Sequence, residues 1–338
     1  MNPLVSILIP AFNAEAWLAD AIESALAQTW TRREIVIVND GSSDQTLAVA
    51  RRFASKHVAA LSQSNQGASA ARNKALSVAQ GEYIQWLDAD DVLAPDKIAR
   101  QVNALGDAPS TRTLLSGAWG VFSYRLRKAR FTPTLLWCDL SPVEWLIRKM
   151  GQNLHMQPDS WLVSRDLTDA AGPWDTKLWR DNDGEYFCRV LLASDHVRFV
   201  GEAKSYYRHA GYRGVSYIGR SNRKLESLAR SMQLHVRYLL SLEDSDRTRA
   251  ACLTYLRTWL YEFYPHRLDL VEELGRLAYS LGGQLGEPRL PRKFAWLRRF
   301  LGWRAAREAR LLLPRLRTTA AISWDKTLYR LERRAGRE

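Results

Sequence analysis

Short apolar runs alternate with helical stripes through the first 90 residues of the chain. The runs at residues 4–9, 34–40 and 82–87 are rich in apolar and β-branched side chains, which is typical of buried strands. Apolar residues recur at helical spacing over 14–28, and a later helix is predicted over 68–79. This β-α-β-α order predicts an α/β fold, Rossmann-like, with a mostly parallel central sheet and helices on both faces.

The rest of the chain divides into two parts. Strands are predicted near 113–122, 159–164 and 196–208, and the apolar residues then return to helical spacing. A chain of 338 residues is long for one domain and short for three. We therefore predict a catalytic domain over residues 1–220 and a helical, basic C-terminal region over 221–338.

The positive charge is concentrated in the last 50 residues. Residues 289–338 carry 15 Lys or Arg against 4 Asp or Glu, a net charge of +11 out of the chain's +13. The main domain is therefore close to neutral, which argues against a nucleic-acid partner. Trp, Phe, Leu and Arg are interleaved over 289–317, which suits a helix lying on an anionic membrane surface. Packing of this segment on the chain itself or on another subunit is an equally good interpretation.

Three further features limit the class of protein. The cysteines are few and far apart, which argues against a disulfide framework or a zinc site and fits a reducing compartment. The N-terminal apolar run lacks a basic segment and a small-residue cleavage site, so we interpret it as the first strand and not as a signal peptide. No window approaches the roughly 20 apolar residues needed to cross a bilayer. A cytoplasmic protein is expected, with contact to the inner face of the membrane through 289–317.

Three acids follow the strand at 82–87 within four positions: Asp88, Asp90 and Asp91, with Ala89 between the first two. A divalent cation bridging a diphosphate would offset their mutual repulsion, because Mg²⁺ and Mn²⁺ bind a few carboxylates and share their other positions with phosphate. The alternative is a solvated turn in which Asp90 or Asp91 caps a helix starting at Ala94. Taken alone the cluster favours the turn, because Asp-rich turns are common.

Other polar residues end neighbouring strands. Asp40 follows the second strand, and Asn13 and Glu15 follow the first. Each is equally well explained by local capping, but the carboxyl ends of parallel strands share one edge of a sheet. Ligands of open α/β sheets bind beyond that edge. Together the three sites predict a ligand-binding edge.

The segments VSILIPAFN, VNDGSSDQT, NQGASAARN and WLDADD, in this order and spacing, resemble the family-two glycosyltransferases with the A-type nucleotide-sugar fold. The resemblance runs from about residue 3 to 100 and continues more weakly to about 209. It implies a nucleotide-sugar donor, with uridine diphosphate as the expected nucleotide. The implied reaction moves a hexosyl group to a hydroxyl of a glycan or lipid-linked acceptor, as in the synthesis of cell-surface polysaccharides or glycolipids.

The resemblance also implies roles for individual residues. Asp88 would face the ribose or the donor sugar, and Asp90 would hold Mn²⁺ or Mg²⁺. Arg208 and His209, in a segment like one that follows the base in the family, would approach the diphosphate or the metal. Arg72 would border the diphosphate or, alternatively, position Asp88 or Asp40 by an ion pair. The residues implied to line the donor pocket are Pro10, Phe12, Asn13, Glu15, Asp40, Asn65, Gly67, Arg72, Asp88 and Ala89.

A general base is implied in the segment DNDGEYFCRV at 181–190. The family has Glu-Asp there with an Arg six residues after the Asp. Asp183 and Arg189 keep this spacing, whereas Asn182 replaces the Glu. Asp183 is therefore the predicted base, with Asp181 and Glu185 as alternatives. Such a base would take the proton of the attacking hydroxyl in a single displacement that inverts the anomeric centre.

Residues 151–161 would shape the acceptor pocket, with His155 or Trp161 available to stack on a sugar; ordinary core packing is the better interpretation for both. A catalytically degenerate protein that binds a sugar nucleotide, or scaffolds a polysaccharide assembly system, is the alternative function. A sugar nucleotidyltransferase is disfavoured, because PAFNAE stands where a Gly-rich phosphate loop would be needed.

Overall fold

The structure, a computed structural model, describes residues 2–106, 110–209, 221–288 and 292–335. The first part contains β1 (Val5–Ala11), α1 (Leu18–Leu26), β2 (Arg33–Asp40), α2 (Thr46–Arg52), β3 (Val58–Gln63), α3 (Ala68–Val78), β4 (Tyr83–Trp86), β5 (Val92–Leu93) and α4 (Lys97–Ala104). The second contains β6 (Thr113–Phe122), β7 (Arg130–Phe131), α5 (Pro142–Gln152), β8 (Val163–Ser164), α6 (Arg165–Ala171), α7 (Asn182–Ala193) and β9 (His196–Arg208). Four helices follow: α8 (Asn222–Leu242), α9 (Asp246–Phe263), α10 (Leu268–Ser280) and α11 (Arg292–Ala335).

The central sheet has the strand order β3-β2-β1-β4-β8. The pairs β3–β2, β2–β1 and β1–β4 are parallel, and only β8 runs antiparallel to its neighbour. Helices α1 to α3 connect the parallel strands, as right-handed crossover geometry requires. The predicted α/β fold with a mostly parallel sheet is confirmed.

Alternate residues of β1 and β2 enter two different cores. Ile7 and Ile9 pack with α1 and α2 on one face, whereas Leu8 packs with α3 on the other. Side chains of a strand alternate between the two faces, so a strand covered on both sides must be apolar at nearly every position. That requirement explains the continuous apolar runs of the sequence.

A second, mixed sheet has the order β5-β9-β6-β7. β9 lies parallel to β6 and antiparallel to β5, so it joins the turn after β4 to the downstream half of the chain. The predicted strands at 113–122 and 196–208 are confirmed. The predicted strand at 159–164 is wrong over its first half: Pro158–Ser160 form a 3-10 turn, and only Val163 and Ser164 pair with β4. Pro158, at the first position of that turn, has no backbone N–H to donate to a neighbouring strand.

Helices α8, α9 and α10 pack against the preceding part of the chain. Their buried apolar residues, among them Leu228, Met232 and Leu256, belong to the same hydrophobic cluster as Trp86 of β4 and Tyr186 of α7. The predicted return to helix near residue 222 is therefore confirmed, while the division into domains at residue 220 stays a prediction. None of the helices in the described ranges is long and apolar enough to cross a bilayer.

Among the described residues, the C-terminal helix α11 contacts the rest of the chain near Tyr264 and on the loop after β6. It is interrupted at Gly302, and Trp303 just beyond packs its ring 5.1 Å from Tyr264. Farther on, Asp325 accepts hydrogen bonds from the backbone of Tyr124 at 2.9 Å and from Arg125 Nε at 2.7 Å. The end of this helix is thus held on the loop after β6.

Candidate functional site

The carboxyl ends of four parallel strands bring the predicted donor residues to one edge. The register pairs Ala11 with Asn39 and Asp40 with Gln63, so the ends of β1, β2 and β3 lie side by side. β4 pairs Trp86 with Leu8, which places Asp88 next to the end of β1. The edge predicted from the sequence therefore exists.

Asp40 organises the loop that follows β3. Its Oδ1 accepts hydrogen bonds from Gln63 Nε2 at 2.8 Å and from the backbone N–H of Gln66 at 2.9 Å, and its Oδ2 accepts one from Gly67 N–H at 2.8 Å. Asn65 donates to the carbonyl of Asp40 at 3.1 Å. The carboxylate is buried, and one of its lone-pair positions is left for a ligand.

Glycine is required directly after Asp40. Gly41 has φ of +67°, and a Cβ there would lie 2.6 Å from the backbone nitrogen of Asn65. The close approach lets the loops after β2 and β3 meet, which holds Asn65 and Gly67 at the edge.

Replacing Asp40 with Ala is expected to lower the free energy of unfolding by about 1–3 kcal/mol, because the N–H groups of Gln66 and Gly67 lose their acceptor. Asp40→Asn keeps one acceptor oxygen and should lose less. Urea unfolding of the two variants measures the difference. An Asp40→Ala protein with the wild-type midpoint and slope would contradict this role.

Asn13 and Glu15 bind the loop after β2. Asn13, whose φ is +48°, accepts a hydrogen bond from Ser43 N–H at 2.9 Å, and Glu15 Oε2 accepts one from Gln45 N–H at 2.8 Å. The side chain of Asp44 accepts a hydrogen bond at 3.0 Å from the N–H of Thr46, the first residue of α2. Both contacts join residues 30 positions apart, so Asn13 and Glu15 hold the loop after β2, which differs from the local capping considered for them.

Phe12 presents an open aromatic ring at this edge. Half of the residue is exposed, whereas its neighbour Ala11 is buried. Pro10 lies in β1 and is partly exposed. An exposed aromatic ring can stack with a planar base.

Arg72 of α3 reaches the acidic cluster from beneath the sheet edge. It donates to Asp88 Oδ1 at 2.7 Å, and its guanidinium lies 4.3 Å from the ring centre of Trp174. Only 5% of Arg72 is exposed, and its other nitrogens have no partner among the described residues. Arg72 therefore positions Asp88, whose carboxylate is partly open, and two guanidinium nitrogens are left without an acceptor.

The acids of the cluster differ in environment. Burial, and next the charge of Asp88, raise the pKa of Asp90 to about 6. Asp91 is fully buried, and its Oδ1 accepts a hydrogen bond from the backbone of Arg208 at 2.7 Å. Helix α4 begins at Lys97, so neither Asp90 nor Asp91 caps a helix starting at Ala94. Ala89, between Asp88 and Asp90 in the sequence, is buried.

Arg208 braces the cluster from β9. Its Nε donates to the carbonyl of Asp90 at 2.7 Å, and its Nη2 donates to Asp20 Oδ2 at 2.7 Å. The guanidinium lies 4.3 Å from the ring centre of Trp17 and 4.5 Å from that of Phe122. With 3% of the residue exposed, Arg208 is enclosed by protein and holds the backbone of Asp90.

The metal prediction can be compared with the arrangement of ligands. Across the described ranges no group of three or more His, Cys, Asp or Glu side chains is gathered into a metal cage. His209 donates its backbone N–H to the carbonyl of Phe122 at 2.7 Å, and burial lowers the pKa of its imidazole. The residues after it, 210–220, lie outside the described part of the chain.

Two of the three candidate bases have structural partners. Glu185 is buried, forms two hydrogen bonds with Arg189 at 2.8 and 2.9 Å, and accepts a third from Tyr238 at 2.8 Å. Asp181 precedes α7 and accepts from Ser231 at 2.8 Å. Within the described ranges no donor binds the carboxylate of Asp183. Arg189, predicted from spacing to accompany Asp183, is paired with Glu185.

No sequence pattern indicates that Asp159 and Lys97 are buried near the cluster. Asp159 and Lys97 are both fully buried, and Lys97 donates to Gln85 and to the carbonyl of Trp161. Burial raises the pKa of Asp159 to about 7 and lowers the pKa of Lys97 to about 7. Each lies in a segment whose local pattern is that of a turn or an amphipathic helix, so burial of the charges arises from tertiary packing alone.

Residues 6–152 match the model of Glycosyl transferase family 2. The match covers less than half of the chain, and over this segment the chain is similar to that family. Uncharacterized glycosyltransferase RP339 of Rickettsia prowazekii is 43% identical over 104 residues, which cover 31% of this chain and 32% of that protein. Uncharacterized glycosyltransferase YibD of Escherichia coli is 44% identical over 93 residues, 27% of each chain. The matched segment thus spans about a third or less of these relatives.

Solved structures share the fold of this chain over a larger part of its length. A crystal structure of S. aureus TarS 1-349 in complex with UDP-GlcNAc covers 82% of this chain and 81% of its own, with a TM-score of 0.64 and 16% identity. The mannosyltransferase PcManGT from Pyrobaculum calidifontis, in complex with GDP-Man and Mn²⁺, covers 92% and 88%, with a TM-score of 0.51 and 17% identity. At these identities the likeness establishes the fold.

Proposed function

We propose that the chain is an inverting, metal-dependent glycosyltransferase that moves a sugar from a uridine diphosphate donor to a hydroxyl of a glycan or lipid-linked acceptor. The observation that carries the proposal is the convergence of Asp40, Asp88 and Asp90 on one sheet edge. The family match at 6–152 and the UDP-GlcNAc complex of the TarS fold relative support it.

The donor would lie along this edge. Phe12 and Pro10 would contact the uracil, and Asp40, Asn65 and Gly67 would border the base and ribose. Asp88, held by Arg72, would accept hydrogen bonds from the ribose or the donor sugar. Asn13 and Glu15 would act by holding the loop after β2 in place, which keeps the pocket formed before the donor arrives.

Asp183 is the proposed general base. Its carboxylate would take the proton of the acceptor hydroxyl as that oxygen attacks the anomeric carbon, and the bond to the nucleoside diphosphate would break on the opposite side. A single displacement of this kind inverts the configuration. The engagement of Asp181 and Glu185 by other side chains supports the choice of Asp183.

The acidic cluster fits a divalent cation shared with a diphosphate. Asp90, beside Asp88, would hold Mn²⁺ or Mg²⁺, with His209 as a second proposed ligand. An ion that binds one or two carboxylates and completes its coordination with phosphate and water needs no all-protein cage. When bound, it would supply Lewis-acid stabilisation of the departing diphosphate. The Mn²⁺ in the PcManGT complex supports this assignment.

Binding of Mn²⁺ in the presence of UDP is expected to weaken as the pH falls below about 6. Burial and the charge of Asp88 raise the pKa of Asp90 to about 6, so below that pH a proton competes with the cation for the carboxylate. The expected loss is about tenfold per pH unit. Electron paramagnetic resonance titrations at pH 5 and 7.5, corrected for Mn²⁺–UDP without protein, measure it. Equal affinities at the two values would contradict Asp90 as the ligand.

The acceptor is proposed to belong to cell-surface polysaccharide or glycolipid synthesis, with the chain on the cytoplasmic face of the membrane. Basic residues in 289–317 and the exposed side chains of Phe300, Leu301 and Leu312 support contact with an anionic surface. Sedimentation with anionic vesicles, with and without 0.5 M salt, tests this part separately.

A panel of nucleotide sugars with Mn²⁺ tests the proposal as a whole. Thermal stabilisation and slow hydrolysis by one or more uridine diphosphate sugars are expected. Stabilisation without any hydrolysis or transfer would favour the alternative of a degenerate sugar-nucleotide-binding or scaffold protein. No response to any nucleotide sugar would refute both.

A further inference from the structure

A cleft of about 220 Å³ lies on one face of the β6–β7 hairpin, beside the segment that follows α5. Strand alternation explains its position. Gly120 and Phe122 alternate with the cleft residues along β6, so they belong to the opposite face of the strand. On that face the ring of Phe131 covers Gly120. The residues that line the cleft include Trp119, Val121, Arg130, Thr132, Asn153 and His155.

Aromatic rings form the inner end of the cleft. The ring centre of Trp119 lies 5.2 Å from that of His155 and 6.3 Å from that of Tyr207, which meets it edge-on. In the parallel pairing of β6 with β9, Val121 lies beside Tyr207, so Tyr207 is on the face of the cleft. Arg208, its neighbour in β9, is on the other face and braces Asp90.

This inner end adjoins the acids of the proposed site. Burial raises the pKa of the Tyr207 hydroxyl, and the charges of Asp91, Asp90, Asp88 and Asp183 raise it further. Burial lowers the pKa of His155, and the charge of Asp183 opposes the shift. The rings of the cleft are therefore within electrostatic reach of both the acidic cluster and Asp183.

We infer that this cleft binds one pyranose residue of the acceptor, stacked on Trp119, with an anionic substituent of that residue at Arg130. The inference rests on the proposed function, and it adds the location and the chemical class of the acceptor. Sugar rings present apolar C–H faces that pack on aromatic rings, while Thr132 and Asn153 supply hydroxyl and amide groups for the sugar hydroxyls. The volume is below the ~300 Å³ of pockets for drug-sized ligands, which suits a single ring.

The positive charge of Arg130 at the rim of the cleft favours an anionic substituent on the sugar. Arg130 is exposed, and within the described ranges its guanidinium forms no ion pair. The nearby Arg125 and Arg127 are both paired, with Asp325 and Glu332 of α11. Arg130 is thus available for a phosphate or a carboxylate, the groups that a guanidinium binds with two parallel hydrogen bonds.

Saturation-transfer NMR on the full chain with UDP and Mg²⁺ tests the inference. The probes are free hexoses, the matching hexose 1-phosphates and the matching hexuronates, so that the phosphate and carboxylate sources are separated. We expect one charged series to bind about two- to fivefold more tightly than the free hexose. Arg130→Gln should remove that advantage, whereas Lys128→Gln, which deletes an exposed charge two residues away, should retain it.

Trp119→Leu should weaken every probe about two- to tenfold, and Trp119→Phe should restore most of the binding, because a flat ring returns. Circular dichroism and stabilisation by UDP check that each variant is folded with its donor site formed. If UDP does not bind the wild-type chain, the proposed function fails. If UDP binds but no sugar gives saturation transfer, or the sugars bind equally well to Trp119→Leu, the acceptor cleft is refuted. Equal binding of charged and free sugars would refute the role of Arg130.

Discussion

Replacing Asp183 with Asn is expected to lower kcat for sugar transfer by about 10²–10⁴-fold, the range that positioned general bases contribute. The amide keeps the shape of the carboxylate but cannot take the proton of the acceptor hydroxyl. Because Asp183 is proposed to touch the acceptor and not the nucleotide, the dissociation constant of UDP should stay within about twofold of the wild-type value.

Asp181→Asn is the matched control for this substitution. Asp181 lies two residues earlier, and its carboxylate already accepts a hydrogen bond from Ser231. Its replacement should act mainly on the free energy of unfolding, which falls, and only weakly on kcat. Steady-state kinetics with the best donor from the nucleotide-sugar panel separate the two effects. An Asp183→Asn protein that transfers at more than a tenth of the wild-type rate would rule this residue out as the base.

Replacing Asp90 with Asn is expected to remove most transfer activity, by about 10²–10⁴-fold, together with the effect of Mn²⁺ on UDP binding. A neutral amide is a poor ligand for a hard cation, and the departing diphosphate would lose the charge stabilisation that the ion supplies. The substitution also relieves repulsion with Asp88, so the variant should be at least as stable as the wild type.

Asp96→Asn is the control for Asp90. Asp96 is an exposed acid six residues later, paired only with Arg100 among the described residues, and its loss should cost no more than about 1 kcal/mol of stability. Calorimetric titration with UDP, with and without Mn²⁺, measures both variants. Retention of the Mn²⁺ effect in Asp90→Asn would show that another group holds the ion.

The first half of the fold could be predicted because its strands and helices are recognisable from residues close together in the sequence. The apolar runs that become β1, β2 and β4 are buried on both faces, and such strands are recognised from composition alone. The strand ends then place Asp40 and Asp88 on one edge by geometry. The helix predicted over 14–28 begins only at Leu18, because residues 12–17 form the turn that carries Asn13 and Glu15.

The rest of the site depends on contacts between distant parts of the chain. The resemblance places Arg208 near the diphosphate or the metal, and the structure adds that it packs against Trp17 and Phe122 and binds Asp20, 188 residues earlier. Trp161 was considered for sugar stacking, and it lies in the core, as its better interpretation predicted. The local pattern of these residues is the same whether they face a ligand or the protein interior, so only the tertiary structure separates the two.

The interaction of α11 with the loop after β6 could not be predicted from the sequence either. Asp325 lies 200 residues from Arg125 in the sequence. The net charge of the tail is dominated by its many arginines and does not show what its acidic residues bind. The two acids that bind the chain, Asp325 and Glu332, are among the few negative residues there. The composition of a segment gives only its average charge, whereas the contact of α11 with the loop depends on two individual acidic residues.

The most direct test of the central claim is a crystal structure of the chain with UDP and Mn²⁺, with data collected at a wavelength where manganese scatters anomalously. We predict one anomalous peak bridging the carboxylate of Asp90 and the diphosphate, with the uracil beside Phe12 and Asp40. UDP bound away from the edge formed by β1, β2 and β4, or a manganese peak with no contact to Asp90, would contradict the proposed site.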